Sequence, residues 1–236
     1  MKTVILKFSG PLQSWGTDSH FEARHTQTHP SKSGVIGMIA AGLGYRRDED
    51  EKCVRLNNLS FAVRVDQVGQ MLRDYHTARK YKDNGDFDRT YVTNRYYLQD
   101  AVFIVALSSN DDELIDDVKT AVTVPYFPLF LGRRSLPPTA DILLDVVETD
   151  AITALREYPW QASKWYQKKN SNRLQIFADE ALLNDGSVQI LNDEVVSFSP
   201  TRGRKFNPRK EVGIMVDISV SDKAEEHDAF GAIGEG

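Results

Sequence analysis

Cysteine is nearly absent from this 236-residue chain, which contains only Cys53. A single cysteine excludes an intrachain disulfide, and without a second cysteine nearby it also excludes a thiolate-rich structural zinc site. Long apolar runs are missing as well. No stretch approaches the roughly 18 to 20 uninterrupted apolar residues of a membrane span, and the apolar run within residues 1–10 is too short for a signal peptide. We therefore expect a soluble, cytoplasmic protein without a membrane partner.

Positive charge is in deficit, because 29 lysines and arginines face 34 aspartates and glutamates, a net charge of −5. That balance argues against a nucleic-acid partner, which needs clustered cations to neutralise its phosphates. The deficit is local, however, since residues 217–236 carry six acids and one base and residues 1–216 are neutral. Acids predominate over 109–157, whereas 158–178 contains four bases and no acid. Residues 200–210 also lack acids and contain five bases, among them Arg202, Arg204 and Lys205. One basic face is possible if these loops converge, which charge alone leaves open.

Apolar residues, 41% of the chain, recur with the periods of strands and helices. The predicted elements are a strand at 3–8, a helix from Ser31 or Ser33 to Gly44, strands at 60–65 and 102–107, a helix at 111–122 and a strand at 142–147. The order β, α, β, β, α, β is that of the ferredoxin-like fold, which is also the scaffold of the RNA recognition motif. We therefore predict an α+β, RRM-like domain.

The predicted first domain spans 1–150 and carries an insertion at about 66–101. This insertion is far longer than an ordinary hairpin connection, and its interleaved bases and tyrosines, with Asn84-Gly85 as a tight-turn signal, predict a protruding arm. Short β-like runs within 151–220 predict a smaller β-rich lobe. Residues 221–236 have no periodicity and predict an acidic flexible tail.

The segment HPSKSGVIGMIAAGLG is the strongest local signal for an anion site. Lys32 and Ser33 precede a helix whose free N–H groups and positive dipole end would face the same phosphate as the lysine ammonium. The spacing is not that of a Walker A loop, so ATP hydrolysis is not predicted. An ordinary capped helix, with Gly34 and Gly37 allowing close packing, is the alternative.

Paired arginines mark a second candidate site. In LFLGRRSLPP, Arg133 and Arg134 follow a tight turn at Gly132, and guanidinium groups bind phosphate oxygens through two hydrogen bonds and stack on bases. The alternative is that the pair bridges the acids of 111–117. Aromatic residues among bases in the arm suit a strand that stacks on RNA bases, although some of these tyrosines must pack on the body.

Histidines crowd the first loop as His20, His25 and His29. No carboxylate lies at a recurrent ligand spacing from them, so neither a metal site nor a cofactor is predicted. A metal-independent ribonuclease needs a base, an acid and a cation, which His25, His29, Lys32 and His76 would supply if they converged. Loop histidines that are solvated or bound to phosphate are the alternative.

Several motifs in the same order resemble the CasD family, the CRISPR-associated RAMP subunit of the type I-E Cascade complex. They are GPLQSWG, HPSKSGVIGMIAAGLG, LRDYHTA, RYYLQDAVFIVAL and YFPLFLGRRS. The resemblance implies a ferredoxin-like body with a thumb at roughly 75–100. It also implies contacts to the 5′ handle of the CRISPR RNA near Trp15, His25, Lys32, Ser33, Arg95, Arg133 and Arg134. To these we add Tyr75, His76 and Tyr96 from the arm, and Arg202, Arg204 and Lys205 from the basic loop.

The function implied by this resemblance is non-catalytic. The protein is expected to bind the crRNA 5′ handle, to cap the Cascade complex, and to contact the repeated backbone subunit and the large subunit. Target DNA is expected to be bound only through the assembled complex. Related type I-C subunits cleave precursor RNA, so a metal-independent endoribonuclease is the leading alternative, and a subunit that binds only proteins is a third.

Overall fold

A computed structural model describes residues 1–16 and 23–219 of the chain. Its strands are β1 (Lys2–Ser9), β2 (Leu12–Gln13), β3 (Ala23–Arg24), β4 (Ser60–Gln67), β5 (Gln70–Tyr81), β6 (Phe87–Gln99), β7 (Val102–Ser109), β8 (Leu143–Val147), β9 (Arg173–Asp179), β10 (Ser187–Ser197) and β11 (Lys205–Asp217). Its helices are α1 (Lys32–Gly42), α2 (Asp50–Arg55), α3 (Asp112–Thr123), α4 (Ala151–Glu157) and α5 (Lys164–Gln167). The predicted tail at 221–236 and His20 lie outside the described residues.

Seven strands form one antiparallel sheet in the order β10-β11-β9-β4-β7-β1-β8. The expectation of a mixed α+β protein is confirmed. The strands predicted as a separate β-rich lobe extend this sheet, because β9 pairs with β4 in the register Ala62↔Ala178. Because Ala62 and Ala178 are far apart in sequence, no local sequence pattern predicts that their strands pair.

The sheet is buried on both faces because its central strands are apolar on both sides. On β1, Val4, Leu6 and Phe8 pack in the cluster that includes α1 and α3, whereas Ile5 packs in the cluster that includes α4. Asp111 is the N-cap residue of α3, and its carboxylate accepts hydrogen bonds from N–H groups of the first turn. Helices α1 and α3 thus cover one face, and α4 covers the other.

The insertion between β4 and β7 is a long hairpin of β5 and β6. Its turn is closed by hydrogen bonds from Lys82 N to Asp86 O and from Gly85 N to Lys82 O, with Gly85 at a φ of +88°. This is the turn that Asn84-Gly85 predicted. Most side chains of β5 are exposed, so the hairpin projects from the body as an arm. Strands β2 and β3 pair with the other edge of β6 and connect the arm to the body.

Among residues 1–16 and 23–219, no helix is both long enough and apolar enough to cross a lipid bilayer.

Candidate nucleic-acid interface

The amino end of α1, predicted as a phosphate site, is occupied by carboxylates of the chain itself. The Lys32 backbone N–H donates to Asp193 Oδ2 at 2.8 Å, and Lys32 Nζ lies 2.9 Å from Asp179 Oδ2. Asp179 and Asp193 belong to β9 and β10. The prediction that Lys32 binds an RNA phosphate is therefore corrected, because its ammonium is buried and paired within the protein.

Arg209 on β11 is the centre of this buried network. Its guanidinium lies 2.8 to 2.9 Å from carboxylate oxygens of Asp179, Asp193 and Glu211. Glu211 also pairs with His29 Nε2 at 2.9 Å. Burial alone would raise the pKa of Glu211, but hydrogen bonds and charges from His29 and Arg209 outweigh it and hold the pKa below its usual value. His29, predicted as a candidate catalytic group, is thus part of the core.

Trp15 also belongs to the core. Its ring is 1% exposed, stacks on Phe8 with the centroids 5.5 Å apart, and donates its indole N–H to Gln13 Oε1 at 3.1 Å. A buried ring cannot stack on an RNA base, so the expectation that Trp15 contacts the RNA handle is corrected. Ser33 is nearly buried in the first turn of α1, and together with Trp15 it lines the inner wall of a groove.

The turn at Gly132 sends two arginines in different directions. Gly132 has a φ of +89°, and a Cβ built there would lie 1.7 Å from the Ser14 carbonyl oxygen. Only glycine tolerates both conditions. The adjacent Leu131 is fully buried and accepts a hydrogen bond from Ser14 N, which anchors the turn. Arg133 therefore faces the base of the arm, and Arg134 faces the groove along α1.

At the base of the arm, Arg133 lies over the ring of Tyr97, 4.4 Å from its centroid. It donates to the carbonyls of Arg24 and Tyr96 at 3.1 and 3.4 Å. Its Nη1 is buried without a hydrogen-bond partner among the described residues, and so is Nε of Arg95 on β6. Buried guanidinium donors almost always have acceptors, so these two N–H groups are exceptions. Because both atoms are inaccessible to solvent, a ligand reaches them only if the surrounding side chains move.

His25 and Tyr96 meet at the same end of the arm. Their rings stack with centroids 5.1 Å apart and planes inclined by 14°. His25 is exposed and Tyr96 partly exposed, so the pair presents an aromatic surface. His25, Arg95, Tyr96 and Arg133 thus all lie at the base of the arm. Successive residues of β6 alternate between faces, so the His25–Tyr96 pair lies on the face opposite Arg95 and the Tyr97 ring that Arg133 covers.

The groove beside this site has a volume of about 720 Å³. One wall is α1, at Ser33, Gly34, Gly37 and Ala41. The others are the segment 127–134 and the segment 198–206, and the aromatic lining consists of Tyr45, Phe127, Phe130, Phe198 and Phe206. Glycines in α1 leave room for the groove, since a Cβ at Gly37 would contact the ring of Phe198 at 3.4 Å.

Four arginines line this groove, and their side chains are exposed. Arg134 and Arg204 were predicted, whereas Arg46 and Arg47 were not. None of the four pairs with a carboxylate in the part of the chain that is described, and Arg46 lies over the ring of Phe127 at 5.4 Å. Exposed cations beside aromatic rings are the features that bind phosphates and stack bases of single-stranded RNA.

The other basic residues of 200–210 lie outside the groove lining. Arg202 is held 2.8 Å from Asp50 and donates to the Asp48 carbonyl, so its charge is already paired. Lys205 is exposed at the start of β11. Of this loop, Arg204 is the residue that the structure places in the groove.

Tyr75 and His76 are exposed on the arm, and they point to opposite faces of it. Tyr75 pairs with Asn94 and His76 with Thr93 in the antiparallel register, and successive residues of a strand alternate between faces. The two residues therefore cannot contact one nucleotide together from the same face.

The proposed ribonuclease residues do not assemble. His29 is buried in a hydrogen bond with Glu211 and Lys32 in an ion pair with Asp179, His25 stacks on Tyr96, and His76 is exposed on the arm. Among the residues that the structure covers, no group of three His, Cys, Asp or Glu side chains is arranged to hold a metal ion.

Sequence reasoning missed Arg46, Arg47 and the aromatic lining of the groove. Arg46-Arg47 begins four residues after Gly42, the last residue of α1, so its position shortly after a helix stop was visible. Its proximity to Phe127 and Phe206 depends on contacts between distant segments, which have no local pattern.

Comparisons with known proteins agree on one family. The family model described as CRISPR-associated protein (Cas_Cas5) matches residues 3–213. The CRISPR system Cascade subunit CasD of Escherichia coli (strain K12) is 35% identical over 170 residues, covering 66% of this chain and 76% of that protein.

Two solved structures resemble the chain over nearly its full length. One, described as a CRISPR RNA-guided surveillance complex, has a TM-score of 0.76 at 30% identity, covering 92% of this chain and 90% of its own. The other, described as a crystal structure of a Cas protein, has a TM-score of 0.68 at 30% identity and covers 91% and 95%.

Proposed function

The chain belongs to the Cas5 family of CRISPR-associated proteins, and from that membership we propose that it is the CasD subunit of a type I-E Cascade surveillance complex. In this role it binds the 5′ handle of the crRNA and caps one end of the complex. It contacts the repeated backbone subunit and the large subunit, and target DNA is bound only through the assembled particle.

The observation that carries this proposal is the arginine-lined groove along α1, whose lining includes Gly132 and Arg134. Arg134 and Arg204, together with Arg46 and Arg47, bind phosphates, and the aromatic lining stacks splayed bases. At the base of the arm, the stacked rings of His25 and Tyr96 offer a further surface for a base.

The fold supports a finer assignment as well. Strands β8, β1, β7 and β4 are neighbours in that order and all antiparallel, which is the order 4-1-3-2 of a ferredoxin-like unit with β4 and β7 as its second and third strands. We assign residues 1–150 to this unit, the hairpin of β5 and β6 to the thumb, and β9, β10 and β11 to an extension of the sheet.

The proposed role is binding without catalysis, because the histidine and lysine candidates for RNA cleavage lie apart or are buried. Incubation of the purified protein with repeat RNA in EDTA checks this. We expect RNA that is shifted in a gel but intact. Cleavage that is abolished by His25→Ala or His76→Ala would instead establish an endoribonuclease.

Affinity for handle RNA tests the groove directly. Arg134→Ala combined with Arg204→Ala removes two exposed guanidinium groups without touching the core, so we expect binding to weaken by about 1.5 to 3 kcal/mol for each charged hydrogen bond lost. The slope of log K against log salt should fall by about 0.7 for each lost phosphate contact. Lys119→Ala on the exposed side of α3 is the control and should bind normally. Unchanged affinity of the double variant would remove the groove from the site.

A further inference from the structure

The basic segment 158–178 lies away from the groove, and its cations have no role in the proposed handle site. Trp160 and Ala162 pack in the cluster on the α4 face of the sheet, opposite the face covered by α1. An RNA end bound along α1 therefore cannot reach this segment without passing around the sheet.

Helix α5 presents an exposed tryptophan from a fixed platform. Trp165 is 58% exposed, whereas the neighbouring Tyr166 packs inward and its hydroxyl accepts a hydrogen bond from Val68 N at 3.3 Å. At the start of α5, Ser163 N and Oγ both donate to Gln67 Oε1, at 3.1 and 2.8 Å. Because these contacts hold α5 to the end of β4, stacking on Trp165 requires little further ordering.

One cation lies beside this ring. Lys169 Nζ is 5.9 Å from the Trp165 ring centroid, and Lys168 is exposed one residue earlier. Neither lysine pairs with a carboxylate within residues 1–16 and 23–219. Arg173 belongs to a different surface, because it alternates along β9 with Leu174, which packs on the α4 side, and it lies opposite Asp217 in the strand register. Unpaired lysines beside an exposed indole complement a polyanion with flat bases.

We propose that Trp165, Lys168 and Lys169, here called the α5 patch, form a second nucleic-acid contact that takes a single-stranded polynucleotide. A base stacks on Trp165, and the two lysines neutralise the adjoining phosphates. The strand bound here differs from the segment in the groove, since the two sites lie on opposite faces of the sheet. An acidic protein surface would complement the charge of the lysines but would provide no flat base to stack on Trp165. A polynucleotide provides both, so it is the occupant that we propose.

Tryptophan fluorescence tests the proposal specifically, because Trp15 and Trp160 are only 1% and 7% exposed and neutral acrylamide should quench mainly Trp165. The full chain carrying Arg134→Ala and Arg204→Ala is titrated with short oligouridylate, so that the result does not depend on the groove. We expect binding to reduce acrylamide quenching at least twofold, and Trp165→Phe to abolish that change. Trp165→Ala should weaken binding about fivefold or more, as measured by anisotropy of labelled RNA.

A matched charge reversal provides the control. Lys168→Glu should weaken binding at least fivefold, whereas Lys119→Glu, an identical change on exposed α3, should weaken it less than twofold. Equal binding of oligothymidylate would extend the site to DNA, and preference for oligouridylate would restrict it to RNA; both support the proposal. Unchanged quenching, equal effects of the two reversals, or equally tight binding of polyglutamate with the same protection of Trp165 would overturn it.

Discussion

Among single residues, Arg209 has the most demanding surroundings, because three carboxylates converge on it in the interior. Buried carboxylates are tolerated only when they are paired. Removing the cation therefore lowers the free energy of unfolding by more than the ion pairs contribute to it on balance. The same network holds Lys32 at the amino end of α1, the helix that forms one wall of the groove. Stability and site geometry are therefore coupled through this residue.

We expect Arg209→Met to lower the free energy of unfolding by about 3 to 5 kcal/mol, since Asp179, Asp193 and Glu211 would lose their shared partner. Urea denaturation measures this loss. Lys210→Met is the matched control, because Lys210 makes an exposed pair with Glu180 worth at most about 1 kcal/mol. Similar losses for the two variants would contradict the role assigned to the buried network.

Glu211 predicts a specific pH dependence of stability. Its pKa in the folded protein lies below the unfolded value of about 4.3, so ionised Glu211 favours the folded state at neutral pH. This contribution is lost as the pH falls from about 4.3 through the folded-state pKa. The stability difference between wild type and Glu211→Gln should thus be constant near neutrality and shrink in acid. A difference that stays constant down to acid unfolding would show that Glu211 is not responsible.

At the scale of elements, the Gly132 turn determines where the two arginines point. Gly132→Ala combines a φ of +89° with a Cβ 1.7 Å from the Ser14 carbonyl oxygen, so the turn must move. We expect a loss of at least about 2 kcal/mol in stability together with weaker RNA binding. Gly203→Ala also has a positive φ, +78°, but open space around it, and should cost about 1 kcal/mol. Thermal melts and RNA titrations of the two variants separate steric displacement from backbone strain.

The arm is an element whose outer half makes few contacts with the body. Replacing residues 81–88 by a two-residue turn removes the exposed pair of Tyr81 and Phe87 but no core residue. We expect the melting temperature to change little and co-purification with the other Cascade subunits to fall several-fold. An assembled complex of normal yield and activity would contradict the thumb assignment.

Elements with strong local periodicity were predictable from sequence. The helix α3 has a clear apolar side and an aspartate cap, and β1 is a short apolar run that ends at Ser9-Gly10-Pro11, so both are found where expected. The short α4 and α5 were missed, because one or two turns give little periodicity. The joining of β9 to β4 was also missed, since it depends on pairing between distant segments.

At the scale of the whole molecule, residues of the candidate site were also predictable only where the signal lay in a local sequence pattern. Arg133 and Arg134 were predicted because a turn with two arginines is a local pattern. Lys32 was assigned to phosphate because its partners, Asp179 and Asp193, lie more than one hundred residues away and could not be seen beside it. The segregation of charge along the chain was visible in the sequence. Which basic loops lie on the same face depends on the strand order of the sheet.

The whole molecule therefore has two chemically distinct faces. The α1 face carries the groove and the base of the arm, and the opposite face carries α4 and α5. Its overall charge of −5 does not describe either surface. The two proposals together assign the handle to the α1 side of the sheet and a different strand to the α5 side.

The most direct measurement is ultraviolet crosslinking, followed by mass spectrometry, of Cascade purified with this subunit and its natural RNA. The account predicts that the 5′-terminal nucleotides crosslink to peptides from the groove, around Tyr45, Phe127–Phe130 and Phe198–Phe206, and from the base of the arm around Tyr96. Crosslinks of the RNA 5′ end to other subunits only, with none to these peptides, would contradict it.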